Sequence, residues 1–435
     1  MIASMIRQMW NERKANVLIL LELLVVFSCL LYAADYLYVK YKEYKQPLGF
    51  DISHVYKVWL GVVPETSADY DTTAVHTTNG MDDFFTIVDR LEKDSRVETV
   101  GYTSGNHFHY MYFNRFATFH GIKMQRYGFV RDVDPSYFRV FKVKTADGQS
   151  WEKLENALRN NQIVVTATVA ERYFGKATEG RGKDIWITNQ GDADSIVYHI
   201  GEVCEPQRYQ EFSSYDYAYY RNLGGRDELK KYGIEILSGN INLFVRMKPS
   251  ADKPELMQQF KKDMEQQLRL GNIYLSDVTP MSYYREEVLR SALDNIRLYV
   301  VGVCFLLFNV LLGVVGTFWF RARQRIPEIG LRMAVGASRS VIFIQLIGEG
   351  LMLLAVVTLP ALLIYANLAQ LDVLTATSMD LSMVDRLVYS FLMAFLTLAM
   401  MIVAGIVFPA KQAARLNPTE ALKDGFVSML YFFHQ

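Results

Sequence analysis

Cysteine is scarce. The 435-residue chain holds three, Cys29, Cys204 and Cys304. Their number and spacing exclude a disulfide scaffold and any CxxC zinc or redox site. Charge imbalance is missing too, with 46 basic and 46 acidic side chains. That balance argues against a broadly basic nucleic-acid binder and against an acidic disordered tail. No G-x-x-x-x-G-K-[ST] string occurs. The nearest, Gly175-Lys176-Ala177 and Gly182-Lys183-Asp184, lack the preceding glycine and following hydroxyl that a phosphate cradle needs. G-x-S-x-G and H-E-x-x-H are absent as well, and no nucleophile–base pair stands out. His107 and His109 lie two apart and would face one side of a strand, but no third ligand has convincing spacing. No metal site is expected, and His107-Phe108-His109-Tyr110 reads as one edge of an aromatic-rich strand.

What is present is unevenly distributed. Apolar residues make up 51% of the chain, and 26 Phe, 27 Tyr and 5 Trp exclude intrinsic disorder. Four stretches are far more apolar than the rest. Residues 17–34 are interrupted only by Glu22 and Ser28, and 341–366 carry one charge, Glu349. Residues 298–320 and 387–408 carry none. A spanning helix needs about 20 predominantly apolar residues, so all four are long enough to cross a bilayer. The first has a basic flank, but its run is longer than a signal peptide's and no A-x-A site follows. It reads as a retained anchor.

Flanking charge orients the spans. Arg7, Arg13 and Lys14 precede the first, against Glu12. Arg321, Arg323, Arg325, Arg332 and Arg339 separate the second from the third, against Glu328. Lys411, Arg415 and Lys423 follow the fourth, against Glu420 and Asp424. The remaining short loop holds Asp372, Asp380 and Asp385 beside Arg386. Four spans put the three basic segments on one side, which the positive-inside rule makes the cytoplasm.

The expected fold class is therefore a membrane protein: an α-helical four-span membrane domain with a large α/β (α+β) external domain between spans one and two. The expected organisation is a cytoplasmic segment (1–16), span one and the start of a stalk (17–38), and an external periplasmic domain (39–296). Span two (297–320), a cytoplasmic loop (321–340), span three (341–366), an external loop (367–386), span four (387–408) and a cytoplasmic tail (409–435) complete it. Both termini are then cytoplasmic.

Within 39–296 the periodicity predicts strand–helix–strand twice: 55–63, 81–93 and 97–102, then 241–247, 254–270 and 273–278. The two copies read as halves of one split α/β subdomain, with a second subdomain inserted at about 140–240. The insert is expected to hold a helix near 151–158 and strands at 163–166, 184–188 and 196–203. Residues 35–45 and 283–295 read as stalk helices, because no Gly or Pro separates them from spans one and two. Glu22 and Glu349 are costly in hydrocarbon and are candidates for hydrogen bonding between helices.

The loop after span two reads as a short capped helix. Pro327 suits the first turn, Glu328 the positive end of the dipole, and Gly336 the position after the last turn. Ser338 is placed to cap span three. Ile329 and Met333, with Ile326, predict an apolar stripe for a partner's groove or for the headgroup layer.

These residues carry a resemblance. The string Arg325, Glu328-Ile329-Gly330-Leu331-Arg332, Ala334, Gly336-Ala337-Ser338, followed by a span containing Glu349, resembles the core signature of MacB/FtsX-like ABC-transporter permeases. The tail residues Pro409, Ala410, Ala413, Ala414, Pro418, Ala421 and Leu422 are similar to that family's C-terminal pattern. Asp134-Pro-Ser-Tyr-Phe138 and Ala170-Glu-Arg-Tyr-Phe-Gly175 resemble stretches of its external domain. The resemblance implies a permease subunit in the bacterial cytoplasmic (inner) membrane, not itself an enzyme. It implies a second permease chain, identical or related, and cytoplasmic ABC ATPase subunits that carry ATP and magnesium, with no cofactor on this chain. Residues 325–337 would be the coupling element, and the stalk would pass ATP-driven motion to the periplasmic domain. Two roles fit: export of a peptide, drug or lipoprotein, with or without a periplasmic adaptor and outer-membrane channel, or FtsX-like signalling to a cell-wall hydrolase or regulator outside the membrane.

Overall fold

The structure is a computed structural model that describes residues 13–77, 80–105, 109–110, 116–120, 125–232, 234–238, 240–324, 326–374 and 381–415. It divides into two compact units, one built from the chain ends and one from residues 44–292.

Helix α1 (Arg13–Lys45) opens the first unit. The second unit begins with strand β1 (Val55–Val62), helix α2 (Gly80–Lys93) and strand β2 (Val97–Ser104). Strands β3 (Phe116–His120) and β4 (Gln125–Val133) follow, then the single turn α3 (Tyr137–Val140) and helix α4 (Glu152–Arg159). Next come β5 (Ile163–Thr166), α5 (Ala167–Phe174), β6 (Asp184–Asn189), β7 (Ile196–Cys204) and β8 (Ala218–Asn222). Strand β9 (Ile241–Met247), helix α6 (Pro254–Gln267) and β10 (Ile273–Pro280) finish it. The first unit resumes within α7 (Met281–Gln324), then α8 (Ile326–Ala334), α9 (Arg339–Gln370) and α10 (Met383–Arg415).

Helices α1, α7, α9 and α10 are long and apolar enough to cross a membrane. Helices α1 and α7 run unbroken beyond their apolar cores, as the lack of Gly and Pro breakers in 35–45 and 283–295 predicts. The inward residues of all four helices form one cluster, including Leu23, Phe27, Val310, Leu346, Leu354, Leu398 and Ile402. The Phe27 ring lies 6.2 Å from that of Phe391 and 6.5 Å from that of Phe395.

In the α/β unit, strands β10-β1-β9-β2 pair antiparallel in that order. This is the split β-α-β arrangement: the two halves lie more than 100 residues apart yet interleave, β1 sitting between β9 and β10. Alternation along β9 shows why the sheet is covered on both faces. Leu243, Val245 and Met247 join Phe84, Phe85 and Leu91 of α2 and Phe260 and Met264 of α6. Phe244 points the other way, toward Tyr137, Phe138, Val140 and Phe141. Arg246, on that second face, is fully buried because it donates to the carbonyls of Val140 (2.5 Å), Ser53 (2.8 Å) and Asp51 (2.7 Å).

The remaining strands run β4-β3-β6-β7-β5-β8, and β8 returns to pair in parallel with β4. Six strands thus close on themselves, which removes their free edges. Phe119, Val130, Val165, Ile187, Val203 and Tyr219 share one cluster there. The strand set of this second part opens at Phe116, earlier than the insert boundary expected near 140. Strands β3 and β4 lack a clean apolar alternation, so periodicity alone does not mark them. The pairs Thr103↔Val133 and Ser104↔Asp132, between β2 and β4, join the two parts into one ten-stranded sheet.

His109 and Tyr110 do not lie on a strand edge. They form a turn in which Tyr110 has a φ of 65°. His109 is buried, stacked on Phe50, with Nε2 2.7 Å from the Tyr137 hydroxyl. His107 lies outside the described residues.

Candidate functional site

The loop between the second and third spans is a helix–turn–helix corner. Helix α8 begins at Ile326, which puts Pro327 and Glu328 in its first turn. It ends in paired closing bonds: the amide of Ala337 donates to the Arg332 carbonyl (2.9 Å) and that of Gly336 to the Met333 carbonyl (3.1 Å). That pattern is a Schellman motif, and it requires the left-handed backbone that Gly336 adopts at φ 104°. Two residues on, Ser338 is extended, and its hydroxyl accepts from the Val341 amide at 3.4 Å to start α9. Arg332 Nη1 donates to Gln345 Oε1 at 2.9 Å, tying α8 to the first turns of α9. Gly336 and Ser338 therefore set the angle at which α8 leaves the third span.

The faces of α8 differ from the sequence expectation. Ile329 is only 6% exposed and belongs to the bundle's cluster, with Met333 packed against it. The helix lies against α10 of its own unit. Of the expected stripe, Ile329 and Met333 are thus turned inward, not toward a partner, and the side chain of Ile326 lies outside what the structure describes. A stripe of two or three residues on one short helix is too short to show by periodicity which side the bundle will cover. The outward apolar side chains are Leu331, 57% exposed, and Val335, 83% exposed. Val335 stood outside the family string and was legible only as an apolar residue one position before the closing glycine. On the helices that flank α8, Arg323 of α7 holds its cation 5.4 Å from the Trp319 ring, and Arg339, the first residue of α9, is exposed. Arg325 lies outside the described residues, and Gly330 and Ala334 are helical.

The tail motif begins inside α10. Pro409, Ala410, Ala413 and Ala414 are helical, and Ala410 is fully buried. Trp319 of α7 stacks on Phe408 one residue earlier, at 5.6 Å and 10°. Pro418, Ala421 and Leu422 lie outside the described residues.

The two intramembrane acids face inward in different ways. Glu349 is buried on the side of α9 that also buries Leu346, Gly350 and Leu353. Glu22 is half-buried against the second span, where a Cβ on Gly313 would lie 2.5 Å from its Oε1. The glycine lets the carboxylate approach the α7 backbone, which keeps it off the lipid. Among the described residues no group of three His, Cys, Asp or Glu side chains is placed to hold a metal.

The Asp134-Pro-Ser-Tyr-Phe138 stretch forms a tight corner against β2. Asp134 Oδ2 accepts from the Ser136 amide (3.0 Å) and its carbonyl from the Tyr137 amide (2.9 Å), which starts α3. The turn packs on Gly101, where a Cβ would stand 3.1 Å from Val140 Cγ2 and 3.2 Å from the Tyr137 nitrogen. Burial pushes the Asp134 carboxyl up to about 6.

Comparison with known proteins follows this division. Residues 51–263 match the MacB-like periplasmic core domain, and residues 300–418 match the FtsX-like permease C-terminal domain. The macrolide export ATP-binding/permease protein MacB of Bordetella avium is 26% identical over 309 residues, which cover 68% of this chain and 43% of that protein. The pyoverdine export ATP-binding/permease protein PvdT of Pseudomonas putida is 35% identical over 118 residues, 26% of this chain and 16% of that one. The chain thus matches less than half the length of these curated relatives. Among solved structures, a domain of a putative permease from Porphyromonas gingivalis shares 14% identity, over 54% of this chain and 92% of that one, with a TM-score of 0.32. The periplasmic region of MacB from Actinobacillus actinomycetemcomitans shares 10%, over 58% of this chain and 98% of that one, also with a TM-score of 0.32. With one matching domain between its first two spans and another across its last three, the chain belongs to the MacB/FtsX-like ABC-transporter permeases.

Proposed function

We propose that this chain is the permease part of an ABC exporter of the mechanotransmission type. ATP and magnesium are bound by ABC ATPase subunits on the cytoplasmic side, and two permease chains assemble above them. The corner formed by α8, Gly336 and Ser338 is the coupling element. It receives ATPase motion on Leu331 and Val335 and passes it through Ile329 into the bundle. Both termini are cytoplasmic, and the α/β unit is periplasmic, joined to the spans through α1 and α7. The cargo is of the peptide, drug or lipoprotein class.

The observation that carries this reading is the exposure of Leu331 and Val335 on a helix whose other side is locked into the spans. An exposed apolar pair in an arginine-rich segment, on the basic side of the membrane, suits a groove on a soluble partner. The names of the relatives favour export over FtsX-like signalling. The test is ATP turnover by the cognate ATPase with and without the permease. Val335→Asp and Leu331→Asp should abolish permease-dependent stimulation while the protein stays folded in the membrane. Normal stimulation by both variants would remove the coupling assignment.

A further inference from the structure

A concave site lies within the membrane unit, lined by none of the residues of the coupling corner. It is a groove of about 490 Å³ between α1 and α10, floored by Val303 of α7. Small residues open it: Ala34 on one wall, Ala394 and Thr397 on the other. Its volume falls in the ~300–1,000 Å³ range of small-ligand sites. Its length is also informative. From Leu30 to Lys42 the α1 wall covers about 18 Å at ~1.5 Å per residue, a little more than half of a ~30 Å hydrocarbon core. One end therefore lies near mid-bilayer and the other at the headgroup level.

The headgroup end is chemically distinct. Tyr38 of α1 and Tyr389 of α10 stack there at 4.8 Å and 17°. Lys42 holds its ammonium 5.6 Å above the Tyr38 ring and lines the same groove. Among the described residues no carboxylate forms an ion pair with Lys42. Tyrosines and a lysine above an apolar slot match the aromatic belt and the cation that meet a lipid phosphate. The two walls are tied to each other by a built contact, since Asp35 of α1 and Arg386 of α10 pair.

We propose that this groove binds one acyl chain of an anionic phospholipid, whose phosphate sits at Lys42. A second copy of the chain fits it poorly. A two-fold contact centred on the groove would bring Lys42 against Lys42 with no acid to separate them. The proposal is independent of the transport reading.

The test uses the full chain in nanodiscs of phosphatidylethanolamine doped with phosphatidylglycerol that carries a photoreactive acyl chain. After irradiation, labelled peptides are mapped. Label should concentrate on residues 30–42 and 389–397, and unlabelled phosphatidylglycerol should displace it better than phosphatidylethanolamine. Lys42→Gln, a change at the groove's rim, should cut that preference about fivefold, the scale of one lysine at an anionic surface. Thr397→Trp, which fills the slot, should remove label there but leave background label on α9, showing that the bundle persists. Uniform labelling of all lipid-facing residues, equal displacement by the two lipids, or an unchanged preference in Lys42→Gln would each overturn the proposal. So would efficient disulfide dimerisation of Met393→Cys in vesicles, which would give the groove to a second copy.

Discussion

Asp35 and Arg386 form a buried ion pair between the first and fourth spans. Arg386 Nη2 lies 2.5 Å from Asp35 Oδ2, and Nε lies 2.9 Å from Oδ1. Asp35 is fully buried, and Arg386 nearly so. Tyr365 of the third span donates to Asp35 Oδ1 at 3.0 Å, and Ser390 donates to the Arg386 carbonyl at 2.6 Å. Three spans thus meet at one carboxylate that accepts three hydrogen bonds.

Such a pair is strongly sensitive to losing one partner, because the survivor is left charged and dry. Breaking a buried pair typically costs about 3–5 kcal/mol, whereas replacing both partners with apolar residues is often close to neutral. Asp35→Leu and Arg386→Leu should each sharply lower the thermal stability of the detergent-solubilised chain. The double variant should recover most of the loss. Additive losses in the double variant would mean that the pair is not the unit of stability.

Neither residue stands out in the sequence. Asp35 reads as the start of a stalk and Arg386 as the lone cation of an acidic loop. They are 351 positions apart, and only helix packing brings them together. What was legible has a local physical cause. The spans are apolar runs too long to bury otherwise, the β-α-β halves alternate cleanly, and Gly336 and Ser338 are end signals with their own geometry. The closed six-stranded arrangement was not legible. Strand β8 contributes only Ala218–Asn222, and its parallel partner β4 lies some 85 positions earlier. The outward face of α8 was hidden for a similar reason: which of two apolar pairs is covered depends on α10, not on α8.

Lys57 predicts a pH dependence in the α/β unit. It is buried in β1 with its ammonium 3.4 Å above the Trp59 ring, and burial pushes its pKa down to about 8 from 10.5. Between those values the unfolded chain binds the proton and the folded chain does not, so stability rises with pH. The cost of charging Lys57 is fully present below pH 8 and disappears above 10.5. Lys57→Met should therefore stabilise the unit at pH 7, on the order of 2 kcal/mol, and gain little at pH 11. Slower hydrogen exchange in β1 at pH 7 would register it. An unchanged rate would show that the ring contact fully compensates the burial.

Asp134 gives the complementary case for an acid. Its carboxyl titrates near 6 in the folded chain, raised by burial, against an ordinary value of 3.8. The folded state holds the proton longer, so this contribution is complete below 3.8 and lost as pH rises through 6. At neutral pH the ionised group costs stability. Asp134→Asn keeps an oxygen for the Ser136 amide and should raise the stability of the unit at pH 7 by about 1 kcal/mol, with no gain at pH 3.5. A gain of equal size at both pH values would assign the effect to something other than ionisation.

Gly336 tests whether the coupling corner works as a rigid element. At φ 104° its backbone is one that L-residues rarely adopt, yet a Cβ there would meet nothing within 4 Å. The penalty of Gly336→Ala is therefore conformational and not steric, about 1–2 kcal/mol. Part of it is relieved if the Ala337 and Gly336 amides let go of their carbonyls and α8 frays. Hydrogen exchange over residues 326–340 should then speed up, with the spans themselves unaffected. If α8 transmits force as a lever, ATPase stimulation should fall together with that protection, although no residue facing the partner has changed. Full stimulation despite faster exchange would mean that the partner itself orders α8 on binding, and that the corner's preformed angle is dispensable.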